Sequence, residues 1–247
     1  IVSVPRVIPG APPELLLHDD PGPCPYLTQR TAVMPLRLPA RVLTPGELDR
    51  RLLVGDRRQG CVLYHTECPG CCGCIPLRID VESFAPSRSQ QRTLRQTSRR
   101  CRVEVGRPIV DERRVWLYNQ HKELRGLGDG QPPIDERHYR DFLVNTCCDS
   151  YELRMLLDDT LVGVSIFDRG ASSLSAVYCC YDPSYRSLGL GTFAILKQLE
   201  LCGLWNLRHL YLGLYIPESS RMAYKARYFP HEVLVNGRWQ RRESAPG

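Results

Sequence analysis

Four groups of residues are of types and spacings that could do chemistry. The first is Arg186-Ser-Leu-Gly189-Leu-Gly191, followed by Thr192. It stands between an apolar run, Val177–Tyr181, and a stretch in which Phe193, Leu196, Leu199 and Cys202 recur every third residue. Two glycines between a strand and a helix let backbone N–H groups converge on an anion, and the helix dipole adds to the attraction. The spacing also fits a tight turn with no ligand. The second group is Cys68, Cys71 and Cys74, three residues apart, with Cys72 among them. Short Cys-x-x-Cys loops present two thiolates to one metal ion, and glycine lets N–H groups face sulfur. A zinc or iron–sulfur site needs a fourth ligand, from Cys24, Cys72 or His65; without metal the cluster is a set of reduced thiols.

The third group is arginine. Arg88, Arg92, Arg95, Arg99 and Arg102 are spaced four, three, four and three, one face of a helix. No Asp or Glu lies between Ala85 and Arg102, so nothing nearby in the chain neutralises that face. It suits a polyanion or an acidic peptide better than plain solvent. The fourth is Arg221, Tyr224, Lys225, Arg227 and Tyr228, where cations alternate with aromatics. That mixture suits the end of a nucleic acid, whose bases stack and whose phosphates pair with charge. It also suits an amphipathic helix with a wet basic face.

These groups need elements to hold them. Thr44-Pro45-Gly46-Glu47 starts a helix over Glu47–Val54, and Ser87 with Gln90, or Ser89, caps the arginine helix. Strands are expected at Ala32–Val42, Cys61–His65 and Ile79–Phe84. Val103–Val110 and Val115–Tyr118 read equally as strand or helix edge. Ile134–Leu143 reads as helix and Gly126–Pro133 as a flexible loop. Tyr151–Leu156, Leu161–Asp168 and Ser173–Tyr181 form a strand meander leading into the glycine loop and its helix, which Gly203 ends. His209–Ile216 is a further strand, Arg221–Phe229 a short helix, and His231–Trp239 a last strand and turn at Asn236-Gly237.

Composition sets bounds. A chain of 247 residues with 43% hydrophobic residues can bury one large core or two modest ones. No apolar run approaches the roughly 20 residues that span a bilayer. The start, Ile1–Arg6, has no long apolar region and no initiator methionine, so the chain reads as a processed or partial product of a cytoplasmic protein. There are 33 basic and 27 acidic residues, a net charge of +6, a mild excess that decides little. Twelve cysteines without a secretory leader suggest thiols or metal ligands rather than disulfides. The proline-rich residues 1–23 read as an irregular arm. Residues 24–112 form a cysteine-containing N-terminal α+β region, 113–240 a second domain, and 241–247 a disordered tail.

Strand, glycine loop and helix resemble the Arg-x-x-Gly-x-Gly cradle of GCN5-related N-acyltransferases, which implies an α+β or α/β C-terminal domain of that kind. The whole chain after residue 24 resembles the aminoacyl-tRNA–protein transferase family. It is similar to the bacterial aspartate/glutamate leucyltransferases and, more distantly, to the arginyltransferases. The resemblance rests on Cys24-Pro-Tyr-Leu27, Cys68-x-x-Cys71-x-x-Cys74-x-Pro76-x-Arg78 and Phe84-x-Pro-Ser-Arg-Ser-Gln90. It continues through Tyr181-Asp182-Pro183, Leu190-Gly191-Thr192-Phe193, Tyr211-Leu-Gly213-x-Tyr215-Ile216 and Met222-x-Tyr-Lys-Ala-Arg227, with Pro230 and Trp239. Gly189 departs from the pattern, where serine is expected, and residues 119–133 match weakly.

The resemblance implies transfer of an amino acid from a charged tRNA to the α-amine of a protein beginning with Asp or Glu, marking it for N-degron degradation. It implies leucyl-tRNA as donor in the bacterial branch and arginyl-tRNA in the eukaryotic one. It also implies zinc or an iron–sulfur cluster on N-terminal cysteines, with Cys24, Cys68, Cys71 and Cys74 as the set. No cofactor is needed for the chemistry itself, because the donor ester is already activated and the α-amine has a pKa of about 8. The expected task is to position two reactants and stabilise an oxyanion. N–H groups over Gly189–Thr192, beside Arg186, would hold the tRNA terminal phosphate or that oxyanion. Asp182, Tyr181 or Tyr178 would take the amine proton, unless Asp182 only caps the loop. Arg78 and Arg88, beside Ser89, would read the acceptor's acidic side chain. Arg221, Tyr224, Lys225 and Arg227, with Tyr215, would meet the tRNA acceptor end. An acetyl-CoA-dependent acetyltransferase and a zinc-dependent nucleic-acid-binding module are the alternatives.

Overall fold

The computed structural model describes residues 6–126 and 131–244. The first part of the chain gives β1 (Arg6–Ile8), β2 (Glu14–His18), β3 (Gly22–Pro23), β4 (Thr31–Ala32), β5 (Leu36–Pro39), α1 (Pro45–Leu53), β6 (Arg57–Gln59) and β7 (Val62–Tyr64). Then come β8 (Ile75–Asp80), α2 (Arg88–Ser98), β9 (Arg102–Gly106), α3 (Glu112–Leu124) and α4 (Glu136–Tyr139). The remainder is β10 (Ser150–Leu157), β11 (Thr160–Arg169), β12 (Ser173–Tyr181), α5 (Leu190–Leu204), β13 (His209–Tyr215), β14 (His231–Val235) and β15 (Arg238–Arg242).

Local signals decide the helices. Thr44 and Glu47 close a capping box on α1, with Glu47 N–H donating to Thr44 Oγ1 at 3.3 Å and Thr44 N–H to Glu47 Oε2 at 2.7 Å. Ser87 and Gln90 do the same for α2. Asp111 caps α3, which takes Val115–Tyr118 into a helix and leaves β9 as the strand.

Long-range pairing changes three expectations. Residues 6–18 are not an irregular arm; β1 and β2 are strands of a five-stranded antiparallel sheet of order β1-β2-β5-β7-β6. Glu14 on β2 is buried against Arg37 and Arg51, which fixes the strand in place. The expected strand at Ile79–Phe84 lies earlier, as β8. That strand sits inside the second sheet, of order β15-β14-β8-β13-β12-β11-β10-β9. A boundary at residue 112 therefore does not separate two sheets, because β8 and β9 belong to the sheet built by the C-terminal half. Residues 127–130 of the expected flexible loop, and 245–247 of the tail, lie outside the described residues.

In the eight-stranded sheet β9–β12 form an antiparallel meander, and β12 then pairs with β13 in parallel. The crossover between them is α5. That parallel pairing covers only Ser173–Ser175 against His209–Tyr211, after which the strands separate. One face of the sheet packs on α5, through Phe193, Leu196, Leu199 and Cys202, all buried. The other packs on α3, α4 and the helical turn Arg140–Val144 that continues it, through Leu117, Tyr118, Tyr139 and Leu143. Leu48 and Leu52 of α1 and Leu63 of β7 cluster with Tyr211 of β13, which seats the N-terminal sheet against the C-terminal one.

Candidate functional site

A cavity of about 540 Å³ opens where β12 and β13 part. Its lining joins the two halves of the chain. Tyr26, Arg57, Arg58, Gln59 and Tyr64 come from the N-terminal sheet and its connections; Tyr178, Tyr181, Gly213, Leu214 and the start of α5 come from the C-terminal half.

The glycine loop forms one wall. Gly189 has φ +64°, and a Cβ there would stand 3.0 Å from Thr93 Cγ2 on α2, so this position favours glycine on both counts. α5 begins at once, with Gly189 as a cap that offers no side chain. Gly191 and Thr192 line the cavity, so their part of the first turn faces it. Thr97 Oγ1 donates to Leu188 O at 2.7 Å, tying α2 to the loop. Leu190 is buried in the core, and Arg186 is exposed outside the cavity.

The three side chains expected to accept a proton differ. Asp182 lies outside the cavity lining, capping the 3-10 stretch Pro183–Leu188. Its oxygens accept from Ser184 N–H at 3.0 Å and Arg113 Nη2 at 3.1 Å. Tyr178 lines the cavity, stacked on Tyr118 at 5.1 Å, and burial pushes its hydroxyl well above the ordinary range. Tyr181 also lines it, edge-on to His121 at 4.6 Å. His121, not singled out in the sequence, is buried and neutral: burial, aided by Arg125, lowers its pKa to about 4.

The basic residues divide sharply. Arg78 is buried in β8, donating to Glu232 Oε2 at 2.6 Å and to Tyr211 OH at 3.0 Å, outside the cavity. A guanidinium already holding a carboxylate is not free for another. On α2, Arg88, Arg92 and Arg95 are exposed, with Ser89, as is Arg99 at the C-cap, while Gln90, Thr93, Leu94 and Thr97 face inward or pack. The expected face loses its fifth member, because α2 ends at Ser98 and Arg102 falls on β9, bonded to Glu104 and Asp159. Arg221 and Tyr224 stand at the mouth; Arg227 is exposed and Tyr215 half-buried, both outside the lining. Lys225 is turned inward, 8% exposed, in the 3-10 turn Ala223–Arg227, donating to Leu214 O at 2.8 Å. It is not a cation on a wet helix face.

Arg57 and Arg58, which sequence reasoning missed, end up at the cavity. Arg58 is held by Asp168 at 2.6 and 2.9 Å. Arg57 donates to Ser175 Oγ at 2.9 Å and Ala176 O at 2.5 Å, both on β12. Among the described residues, no Asp or Glu lines the cavity.

The four cysteines lie apart from this cavity and near one another. Cys74 is pushed up to about 12 by burial and by the proximity of Cys24, Cys68 and Cys71. Leu27 N–H approaches Cys24 Sγ at 3.4 Å, Val33 N–H approaches Cys68 Sγ at 3.4 Å, and the Gly73 N–H and Arg30 lower Cys71. Four thiols, three of them with N–H donors on sulfur, fit a thiophilic metal or iron–sulfur cluster in chemistry. Among the described residues, none of these groups is drawn into a ready coordination shell.

An antiparallel meander, a strand pair that parts, and a glycine loop capping the crossover helix over the gap define a GCN5-related acyltransferase fold. Comparison with known proteins gives the family. Residues 22–92 match the model described as arginine-tRNA-protein transferase, N terminus, and residues 113–235 the corresponding C terminus. The aspartate/glutamate leucyltransferase of Chromobacterium violaceum is 34% identical over 221 residues, covering 89% of this chain and 90% of that one. The protein of that name from Gluconobacter oxydans is 35% identical over 232 residues, covering 92% and 95%. The crystal structure of FemX overlaps 80% of this chain and 66% of its own, with a TM-score of 0.45 and 8% identity. The chain belongs to the arginine-tRNA-protein transferase family.

Proposed function

We propose that this protein moves leucine from leucyl-tRNA to the α-amine of proteins whose first residue is Asp or Glu, the step that marks them for N-degron degradation. The observation that carries leucine over arginine is the cavity. Its described lining holds Arg57, Arg58, Arg125, Arg221 and Lys225 but no carboxylate, together with Val177, Ile195, Leu212 and Met222. An arginyl donor would bring a guanidinium among like charges with nothing to pair with; a leucyl side chain finds apolar contact.

The donor ester supplies the driving force: the neutral amine attacks its carbonyl carbon and loses a proton, and the intermediate collapses by breaking the C–O bond to the terminal ribose of the tRNA, whose oxygen takes up a proton and leaves as a hydroxyl. The tetrahedral intermediate's oxyanion needs donors, which the first turn of α5 at Gly191 and Thr192 provides. The helix α2 meets that loop through Thr93 and Thr97, and its exposed arginines would take tRNA phosphates. Tyr181 is the side chain of the three proposed acceptors that fits proton handling at the cavity, since Asp182 is occupied outside it. Cys24, Cys68, Cys71 and Cys74 would hold the metal or cluster, which would supply structural rigidity to the N-terminal region and take no part in the transfer. Among the described residues, no helix is long and apolar enough to cross a membrane.

The test offers leucyl-tRNA, arginyl-tRNA and acetyl-CoA in parallel with a peptide beginning with Asp. Transfer of leucine alone is the expected result. Equal or faster transfer of arginine would overturn the leucine assignment, and acetylation would overturn the tRNA-dependent reaction.

A further inference from the structure

Among the described residues, the other buried arginines are each paired with a carboxylate, and Arg78 takes the half-buried Glu232. Arg37 holds Glu14 and Asp56, Arg58 holds Asp168, and Arg114 holds Glu152. Arg57 and Lys225 depart from this rule. They are 9% and 8% exposed, and among the described residues each bonds only neutral acceptors: Ser175 Oγ and Ala176 O for Arg57, Leu214 O and Met222 Sδ for Lys225. Both line the cavity. Arg57 bonds β12 and packs over Gly213 of β13, and Lys225 bonds Leu214, the next residue of β13, so the two cations converge on one part of the strand gap. Neither has a carboxylate bonded to it; the nearby Asp168 is bonded to Arg58. Two buried cations with no bonded counter-charge are costly, and the cost is offset when an anion arrives.

We propose that Arg57 and Lys225 together read the acidic side chain of the acceptor's first residue, an assignment that rests on the transfer reaction proposed above. The geometry favours one carboxylate over an RNA phosphate. Both cations are buried in a cavity that Tyr26 and Tyr64 also line, whereas Arg88, Arg92 and Arg95 on α2 and Arg99 at its end offer an exposed surface for a polyanion. A polynucleotide backbone follows exposed charge; a single side chain can enter a cleft and shed its water. Discrimination follows directly. Asp or Glu supplies the missing charge, while Asn or Gln fills the same space and leaves both cations unpaired. The apolar part of the cavity remains for the leucyl group, so both reactants can share the gap beside the first turn of α5.

The test measures leucine transfer from leucyl-tRNA to two peptides that differ only in a first residue of Asp or Asn. Wild type, Lys225→Met and Arg57→Gln are compared, with tRNA affinity measured by filter binding. Loss of either cation is expected to lower kcat/KM for the Asp peptide by about 30-fold or more, chiefly through KM. Transfer to the Asn peptide and tRNA affinity should hold, so the Asp/Asn ratio falls toward unity. An unchanged ratio with weakened tRNA binding would assign the cations to RNA and overturn the proposal. An equal fall for both peptides, with tRNA binding intact, would make the role structural and also overturn it. If Arg57→Gln does not fold, Lys225→Met and Arg57→Lys decide the matter. A wild-type protein that transfers leucine to neither peptide would refute the reaction; calorimetric binding of the two peptides would then decide the cation site on its own, with equal affinities overturning it.

Discussion

The guanidinium of Arg57 lies directly over Gly213. A Cβ at residue 213 would come within 2.9 Å of Nη2, 3.0 Å of Cζ and 3.1 Å of Nε. Gly213 also has φ +83° and sits where the β8–β13 register shifts, so the strand bends to admit the arginine. Gly213→Ala should therefore act twice. Strained backbone is expected to cost about 1–2 kcal/mol, read as a lower urea midpoint. Displacement of Arg57 from Ser175 and Ala176 should lower transfer to Asp peptides beyond what that stability loss explains. A variant with a normal Asp/Asn ratio would show that Arg57 needs no such platform.

The arginine face of α2 gives a prediction about salt. Arg92 and Arg95 are exposed on α2, with no acidic partner among the described residues. If they meet phosphates, Arg92→Gln with Arg95→Gln should reduce the slope of log K for tRNA against log salt by roughly 1.5. The Asp/Asn preference should not move, because neither residue lines the cavity. An unchanged slope would place the tRNA on another surface.

What was legible in the sequence followed the range of the interactions. The capping boxes at Thr44 and Ser87, the β10–β12 meander and the glycine loop are written within a few residues, and local chemistry settles them. Pairing between distant segments was not legible. Nothing near Ile75–Asp80 says that this strand slots between β13 and β14, and nothing near Glu14 announces Arg37. The direction of a cation was the least visible feature. Arg57 lies on a three-residue strand and Lys225 in a 3-10 turn, both too short for periodicity to mark an inner face. Arg78 looked available because its partner Glu232 lies 154 residues away. The only hint was the Arg57-Arg58 pair with one acid, Asp56, beside it, and that acid serves Arg37.

Arg58 and Asp168 form the bond that most firmly joins the N-terminal sheet to the meander. Their side chains are 2% and 1% exposed, and Ser150 donates to the same carboxylate. Arg58→Met would leave Asp168 buried without its cation, which should cost about 3–5 kcal/mol. Adding Asp168→Leu should restore much of that, since removing both charges also removes the desolvation penalty. Urea denaturation of the two single variants and the double variant checks this; additive losses would mean that the pair is not coupled.

Lys225 ties stability to pH in a direction opposite to that of most lysines. Burial, with Arg57 nearby, lowers its pKa from 10.5 to about 7. Between these values the unfolded chain holds a proton that the folded chain has released, so stability rises with pH through this window. Below pH 7 both forms are protonated, and the burial cost is carried in full. The slope should approach about 1.4 kcal/mol per pH unit near the middle of the window. Tyrosines and thiols titrate in the same range, so the measurement is the difference between wild type and Lys225→Met. That difference should favour the variant most below pH 7 and shrink as pH rises toward 10. A saturating Asp-initiated peptide should flatten it from the acid side, because a bound carboxylate stabilises the protonated amine; an Asn-initiated peptide should not. A wild-type curve parallel to that of the variant would mean that Lys225 keeps an ordinary pKa and lies open to water.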